Sequence, residues 1–111
     1  MRITLTSPQQ TRHNLDDSGF ETAISDYPYA VRQAMRMVSY LEQGELGMRL
    51  PDGNQFDFDT GRNGPKATMI IHDLGFARQL AKGGDIGIAE AYLQGQWETP
   101  DLTAFLQLFC S

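Results

Sequence analysis

The sequence predicts a small α+β domain, because its apolar residues follow two different periods. A helical period of three and four residues begins at Tyr29, and a period of two residues recurs in three segments between Glu45 and His72. The length of 111 residues fits one domain. A content of 41% hydrophobic and 21% charged residues is typical of a chain that folds around a core.

The charge balance excludes some classes of partner. The net charge is −5, and neither half of the chain carries a basic patch, so nucleic acid is not expected as a partner. The same balance weakens electrostatic docking onto anionic lipid. Cys110 is the only cysteine, which rules out an internal disulfide or a cysteine-based zinc site, and neither histidine has the spacing of a metal ligand. Because no segment has the length of a signal peptide or a membrane span, we expect a cytoplasmic protein.

The first segment is expected to be a polar arm over residues 1–26, followed by a domain over residues 27–111. The apolar residues of the arm show no sustained period, and Asp16-Asp17-Ser18-Gly19 is typical of a linker. After Pro28, a helix is predicted whose inner face carries Val31, Ala34, Met35, Val38 and Leu41 and which ends before Gly44.

Three strands are predicted next. Leu46, Met48 and Leu50 alternate with polar residues or glycine, Pro51-Asp52-Gly53 forms a turn, and Phe56 and Phe58 continue the alternation, which together predict an antiparallel hairpin. A third strand follows, with one face carrying Ala67, Met69 and Ile71.

The last part of the chain is predicted to be mainly helical. Asp73 begins a short helix that ends at Gly83, and Asp85 begins a second helix that ends at Gly95. The apolar stripe of this second helix is formed by Ile88, Ala89, Tyr92 and Leu93. A short strand over residues 96–98 and a helix beginning at Thr99-Pro100-Asp101 complete the domain. The predicted inner face of this last helix is Leu102, Phe105, Leu106 and Phe109. Because that face stays apolar to the end, we expect the helix to meet a second copy of the chain or a further domain.

Glu90 is the one acid in a helix built otherwise from Ile, Ala, Tyr and Leu. A buried carboxylate must be hydrogen-bonded, paired or protonated. We therefore interpret Glu90 as a structural acid held by backbone amides or by Arg78, rather than as a functional acid. Tyr92 and Trp97 are expected at the edge of the core rather than at a membrane interface.

A family resemblance adds a function to this outline. Residues 44–53, 64–73, 83–97 and 99–103 resemble the N-terminal domain of cyclopropane-fatty-acyl-phospholipid synthases and related S-adenosylmethionine-dependent methyltransferases. The segment from Gly83 to Trp97, with the pattern GGDIGxAEAYxxGxW, carries most of the resemblance. It implies a fold similar to sterol carrier protein 2, with a curved, mainly antiparallel sheet under helices. It also implies that this chain is a non-catalytic accessory domain, and that the catalytic domain of the same polypeptide binds S-adenosylmethionine and bicarbonate.

The resemblance further implies an apolar groove that accepts a phospholipid acyl chain. Its floor would be Leu46, Met48, Leu50, Phe56, Phe58, Met69 and Ile71, and its wall would carry Ile88, Tyr92 and Trp97. No catalytic, cofactor-binding or metal-binding residue is expected in this chain itself. Two alternatives stay open, a free-standing lipid carrier similar to sterol carrier protein 2 and a scaffold with a filled core. A peripheral position at the inner membrane is compatible with the first function.

Overall fold

The computed structural model describes residues 2–8 and 12–110, and all of their side chains except those of Asp85, Phe109 and Cys110. This part of the chain forms six strands and four helices, which confirms the α+β class. In chain order they are β1 (Arg2–Thr6), β2 (His13–Leu15), α1 (Asp17–Ile24), α2 (Tyr29–Val38), β3 (Glu45–Arg49), β4 (Gln55–Asp59), β5 (Lys66–Ile71), α3 (Phe76–Leu93), β6 (Trp97–Glu98) and α4 (Leu102–Cys110).

The strands form one mixed sheet in the order β2-β1-β4-β3-β5-β6. Every neighbouring pair is antiparallel except β3 and β5, which run parallel. The predicted hairpin is confirmed as β3 and β4, and the chain then crosses the start of β3 to reach its other side. At this crossing the Glu45 amide donates a hydrogen bond to the carbonyl oxygen of Pro65 (3.0 Å).

The core lies between one face of the sheet and the helices. Alternate side chains of β3, β4 and β5 point to the same face because successive residues of a strand point to opposite sides. On this face Leu46, Met48, Phe56, Phe58 and Met69 are all at most 1% exposed. Burial of one such side chain stabilises the fold by about 1.5–3 kcal/mol.

Helix α2 supplies the centre of the covering layer. Its inner face carries Val31, Ala34, Met35 and Val38, all buried, as the helical period predicted. The helix ends at Val38, earlier than Leu41, which lies beyond its end and is partly buried against the core. Arg36, on its outer side, forms a bidentate ion pair with Glu21 of α1, with Nη2 and Oε2 2.6 Å apart. This pair lowers the pKa of the Glu21 carboxyl.

The prediction of a polar arm over residues 1–26 is wrong for the described part of that segment. Strand β1 lies inside the sheet, paired with β2 on one side and with all five residues of β4 on the other, and Ile3 is buried. Asp16 is an N-cap and not part of a linker, since its Oδ1 accepts a hydrogen bond from the amide of Gly19 (2.7 Å). Helix α1 then buries Phe20 and Ile24.

The predicted inner face of α4 is also partly wrong. Phe105 and Leu108 are buried, whereas Leu102 and Leu106 are 39% and 50% exposed. The side chain of Phe109, which was predicted to lie on the inner face, is outside the described residues. The helix is capped by Asp101, whose Oδ1 accepts from the Ala104 amide (3.1 Å), and not by Thr99.

Phe20 provides a test of the N-terminal segment as part of the core. Its ring meets Phe56 and Phe58 edge to face, with centroids 6.3 and 6.0 Å away. Phe20→Ala is expected to lower the free energy of unfolding by about 3–5 kcal/mol, as for other aromatic side chains removed from a core. Tyr29→Ala, at a position 67% exposed, is the control and should change it by less than about 1 kcal/mol. Urea denaturation measures both free energies of unfolding. Equal effects of the two substitutions would contradict the assignment of Phe20 to the core.

Candidate functional site

The segment that carries the family resemblance folds as a broken helix. Helix α3 is interrupted at Gly84, whose φ of 55° and ψ of −126° are not helical. The sequence predicted two separate helices with the break at Gly83, so the break is confirmed within one residue. Asp73 does not cap α3 directly; its Oδ1 accepts from the Gly75 amide (2.8 Å) in the turn before Phe76. The predicted capping role of the Asp85 side chain lies outside the described residues.

Gly87 lets the two halves of α3 approach each other closely. A Cβ atom on Gly87 would lie 1.8 Å from the carbonyl oxygen of Gln79, a distance at which the backbone would have to move. Gln79 and Gln94 also join the two halves through their side-chain amides, with Nε2 3.0 Å from Oε1. Gly87, the third glycine of the GGDIG pattern, is therefore required for the packing of the two halves.

The end of α3 is a Schellman motif. The amide of Gln96 donates to the carbonyl oxygen of Ala91 (3.0 Å), and the amide of Gly95 donates to that of Tyr92 (3.0 Å). Gly95 has the positive φ, 76°, that this motif needs. The motif turns the chain from the helix into β6, where Trp97 pairs with Ile71.

Trp97 holds this turn against the core. Its indole N–H donates a hydrogen bond to the carbonyl oxygen of Ile88 (2.9 Å), and its ring packs against Tyr92 and Phe105 with centroids 5.1 and 4.7 Å away. Trp97 itself is 2% exposed. The prediction that Tyr92 and Trp97 lie at the edge of the core is therefore confirmed for Tyr92, whereas Trp97 lies within the core.

Glu90 is exposed, so its interpretation as a buried structural acid is wrong. The inner side of this half of α3 is formed by Gly87, Ile88 and Ala91, and Glu90 lies on the opposite side. Among the described residues it makes no ion pair with Arg78. Apolar neighbours in sequence do not bury an acid on a helix, because only the stripe of residues that faces the core is buried.

An exposed row on the second half of α3 consists of Ile86, Ala89, Glu90 and Leu93, which we call the α3 row. Ile86 and Leu93 are 71% and 82% exposed, and the spacing of the four residues places them on one side of the helix. The core does not account for these large apolar side chains. The row was not predicted from the sequence, because Leu93 was assigned to the inner stripe with Ile88 and Tyr92.

The predicted groove residues are brought together but do not line an opening. The seven residues of the predicted floor are 0–2% exposed and belong to the core beneath the helices. Of the predicted wall, Ile88 and Tyr92 are partly buried against that core and Trp97 is fully buried. Over the described residues this face of the sheet is filled by protein, so the expected open groove is wrong at this place.

A polar cavity, which was not predicted from the sequence, lies on the other face of the sheet. It has a volume of about 460 Å³ and lies over β1, β4, β3 and β5, with Gly47 at its floor. Charged and polar side chains line it, including Arg2, Asp57 and Thr68. The signal in the sequence was the glycine between Leu46 and Met48 together with the polar residues opposite the apolar ones.

No metal site or membrane span is found in the part of the chain that the structure describes. Among those residues, no three His, Cys, Asp or Glu side chains are grouped so that they could hold a metal ion. None of the helices in the described ranges has the length and apolar character needed to cross a membrane. Comparisons with models of protein families, with curated proteins and with solved structures find no match to this chain.

The close approach at Gly87 gives a prediction with a matched control. Gly87→Ala is expected to lower the free energy of unfolding by about 1–3 kcal/mol or more, since its Cβ would overlap the Gln79 carbonyl. Gly83→Ala, in the same helix but with no atom within 4 Å of its Cβ, should be neutral or stabilising by up to about 1 kcal/mol. Thermal unfolding followed by circular dichroism distinguishes the two. If both variants gain stability, the two halves of α3 do not pack as described.

Proposed function

We propose that this chain is a non-catalytic accessory domain of a cyclopropane-fatty-acyl-phospholipid-synthase-like methyltransferase that acts on the acyl chains of membrane phospholipids. The observation that carries the proposal is the α3 row: the segment most similar to that family exposes Ile86 and Leu93 on the same side of one helix, about two turns apart. In this proposal the row docks onto the catalytic domain of the same polypeptide, which binds S-adenosylmethionine and bicarbonate. The domain then works in the cytoplasm, beside the inner membrane.

The residues of Gly83–Trp97 have two kinds of environment, and this difference supports docking of the segment onto a catalytic domain. The internal residues of the segment are explained by its own fold, since Gly87, Ala91, Gly95 and Trp97 pack or turn the chain. The two exposed apolar side chains are not explained in this way. Covering a side chain of this size releases about 1.5–3 kcal/mol, so the pair is a substantial contribution to an interface.

The packing of the core favours an accessory domain over a lipid carrier. A carrier similar to sterol carrier protein 2 needs space for an acyl chain, but the side chains proposed to form its floor, such as Met48 and Phe58, are at most 2% exposed under the helices. The sheet is covered by helices on one face, which is compatible with the general architecture expected from the resemblance. The specific likeness to the fold of sterol carrier protein 2 is part of the proposal.

Leu102 and Leu106 of α4 are the surface that a homodimer would use.

Binding to a catalytic domain in trans tests the proposal. The double variant I86S/L93S is expected to weaken binding to a catalytic domain of the cyclopropane-fatty-acyl-phospholipid synthase type by at least about tenfold, because the apolar contact is lost. Isothermal titration calorimetry measures the affinity. The control is Tyr40→Ser, because Tyr40 is 82% exposed, as Leu93 is, but follows α2. Absence of binding by the unmodified chain, or an equal loss in the control, would contradict the proposal.

Native mass spectrometry of the protein after mild extraction separates the accessory domain from the carrier. We expect the mass of the bare chain, since the core leaves no room over Met48 and Phe58. A copurified fatty acid or phospholipid would favour the carrier. A mass of two chains that disappears in a Leu106→Ser variant would assign α4 to a homodimer.

A further inference from the structure

The polar cavity lies over Gly47, a residue without a side chain. Gly47 lies in the middle of β3, with Asp57 of β4 opposite it on one side and Thr68 of β5 opposite it on the other. A Cβ on Gly47 would lie 3.1 Å from Asp57 Oδ1, 3.7 Å from Gln55 Nε2 and 3.8 Å from Thr68 Oγ1. Three polar groups therefore converge on a space that any other residue would fill. The cavity volume of about 460 Å³ is within the range of sites for small molecules.

The cavity lining carries as many cations as carboxylates, and they lie on different strands or segments. Its lining includes the carboxylates of Glu45, Asp57 and Asp59, all on the two central strands β3 and β4. The cations lie to the sides, with Arg2 on β1, Arg12 before β2, and Lys66 on β5. Glu45 and Asp59 are directly opposite each other in register, an arrangement of like charges that favours a cation between them.

Internal ion pairs satisfy only part of this lining. Arg12 approaches Asp57 at 3.4 Å and Lys66 approaches Glu45 at 3.7 Å, and both pairs are weak because their cations are exposed. Asp57 Oδ1 also accepts a hydrogen bond from Gln55 Nε2 (2.9 Å). Arg2 faces Asp59 in register, but among the described residues it forms no ion pair. Asp59 instead accepts a hydrogen bond from the amide of Gly61 (2.8 Å). A guanidinium group is thus left beside a cluster of carboxylates.

We propose that this cavity binds a small zwitterion, with its ammonium group over Asp57 and Glu45 and its oxyanion on the guanidinium of Arg2. Adjacent strands are about 4.8 Å apart, so the step from β4 to β1 matches an ammonium and a phosphate or carboxylate joined by a short carbon linker. A simple anion would meet the central carboxylates, and a simple cation would leave Arg2 unpaired. Guanidinium groups are suited to phosphate and carboxylate because they donate two parallel hydrogen bonds. The inference concerns the open face of the sheet and is independent of the proposed function.

Titration of the full chain by two-dimensional NMR tests the site with defined probes. Phosphoethanolamine and γ-aminobutyrate are the zwitterions, and ethanolamine and inorganic phosphate carry one kind of charge each. We expect the zwitterions to shift the amide signals of Thr4, Gly47 and Thr68 and to bind at least about tenfold more tightly than either single-charge probe. Equal affinity for phosphate or ethanolamine alone, or shifts spread over the surface without saturation at millimolar concentration, would overturn the proposal.

Variants localise the binding. Gly47→Val places a side chain that suits a strand between Asp57 and Thr68 at the cavity floor, and Arg2→Gln removes the proposed oxyanion partner. Each should weaken zwitterion binding at least about tenfold. Thr68→Val has nearly the same shape as the native side chain but lacks its hydroxyl group. Weaker zwitterion binding by this variant is the expected result, and it replaces Gly47→Val as the test if that substitution disturbs the sheet. Arg49→Gln is the matched control, because Arg49 lies on β3 but does not line the cavity. Unchanged binding in Gly47→Val and Arg2→Gln, with native unfolding curves, would show that the cavity is not the site.

The source of the zwitterion is distinguished by a vesicle assay. Binding of free phosphoethanolamine without binding to phosphatidylethanolamine vesicles assigns the site to a soluble metabolite. Vesicle binding that Arg2→Gln reduces, while Arg49→Gln does not, assigns it to a lipid headgroup. Vesicle binding that both variants reduce equally would reflect surface charge alone and would count against the site.

Discussion

The side chains of β3 and β4 alternate between an apolar and a polar row, and the rest of the structure depends on this alternation. The apolar row places Leu46, Met48, Phe56 and Phe58 on one face, where they are almost completely buried. All four helices contribute buried side chains to the core cluster that contains this row. The polar row is left on the open face, where no helix covers the cavity. One pattern in the sequence therefore determines both the position of the core and the position of the cavity.

Periodicity predicted which side chains share a face, but it did not predict what covers them. The hairpin, β5, the inner stripe of α2 and the turn at Gly95 were all predicted correctly, because each is determined by residues close together in sequence. The groove was predicted on the apolar face of the sheet, and that face is filled by the core. Whether an apolar face is open or packed depends on the helices above it, and the period of a strand contains no information about their distance.

The errors in the N-terminal segment and in α3 have different physical causes. Strand β1 is short and is stabilised by a partner far along the chain, since Ile3 pairs with Phe58, so its own sequence has little signal. In α3 the helical stripe was assigned one position away from the true one, which placed Leu93 in the core. Glu90 was expected to be buried because its neighbours in sequence are apolar. The close packing at Gly87 determines which stripe faces inward, and such a contact is visible only in three dimensions.

The two surfaces singled out by the structure lie on different layers. The α3 row belongs to the helical layer and is held in place by Trp97 and the Schellman turn, whereas the cavity belongs to the bare side of the sheet. The core separates them, and few residues are shared between the elements that support each surface. A protein that docks through its helices thus keeps the other side of its sheet accessible, and the two interactions do not compete for the same atoms.

The pairing of β1 with β4 has a consequence for the way this chain is made. During synthesis β1 leaves the ribosome before β4, and their five-residue ladder cannot form until Asp59 has been added. Until then β1 has only the short β2 as a partner, and one of its edges can join any other extended chain nearby. Long-range pairing of this kind slows folding and prolongs exposure of unpaired strands. Strand β1 would therefore profit from protection by a chaperone until β4 has been made.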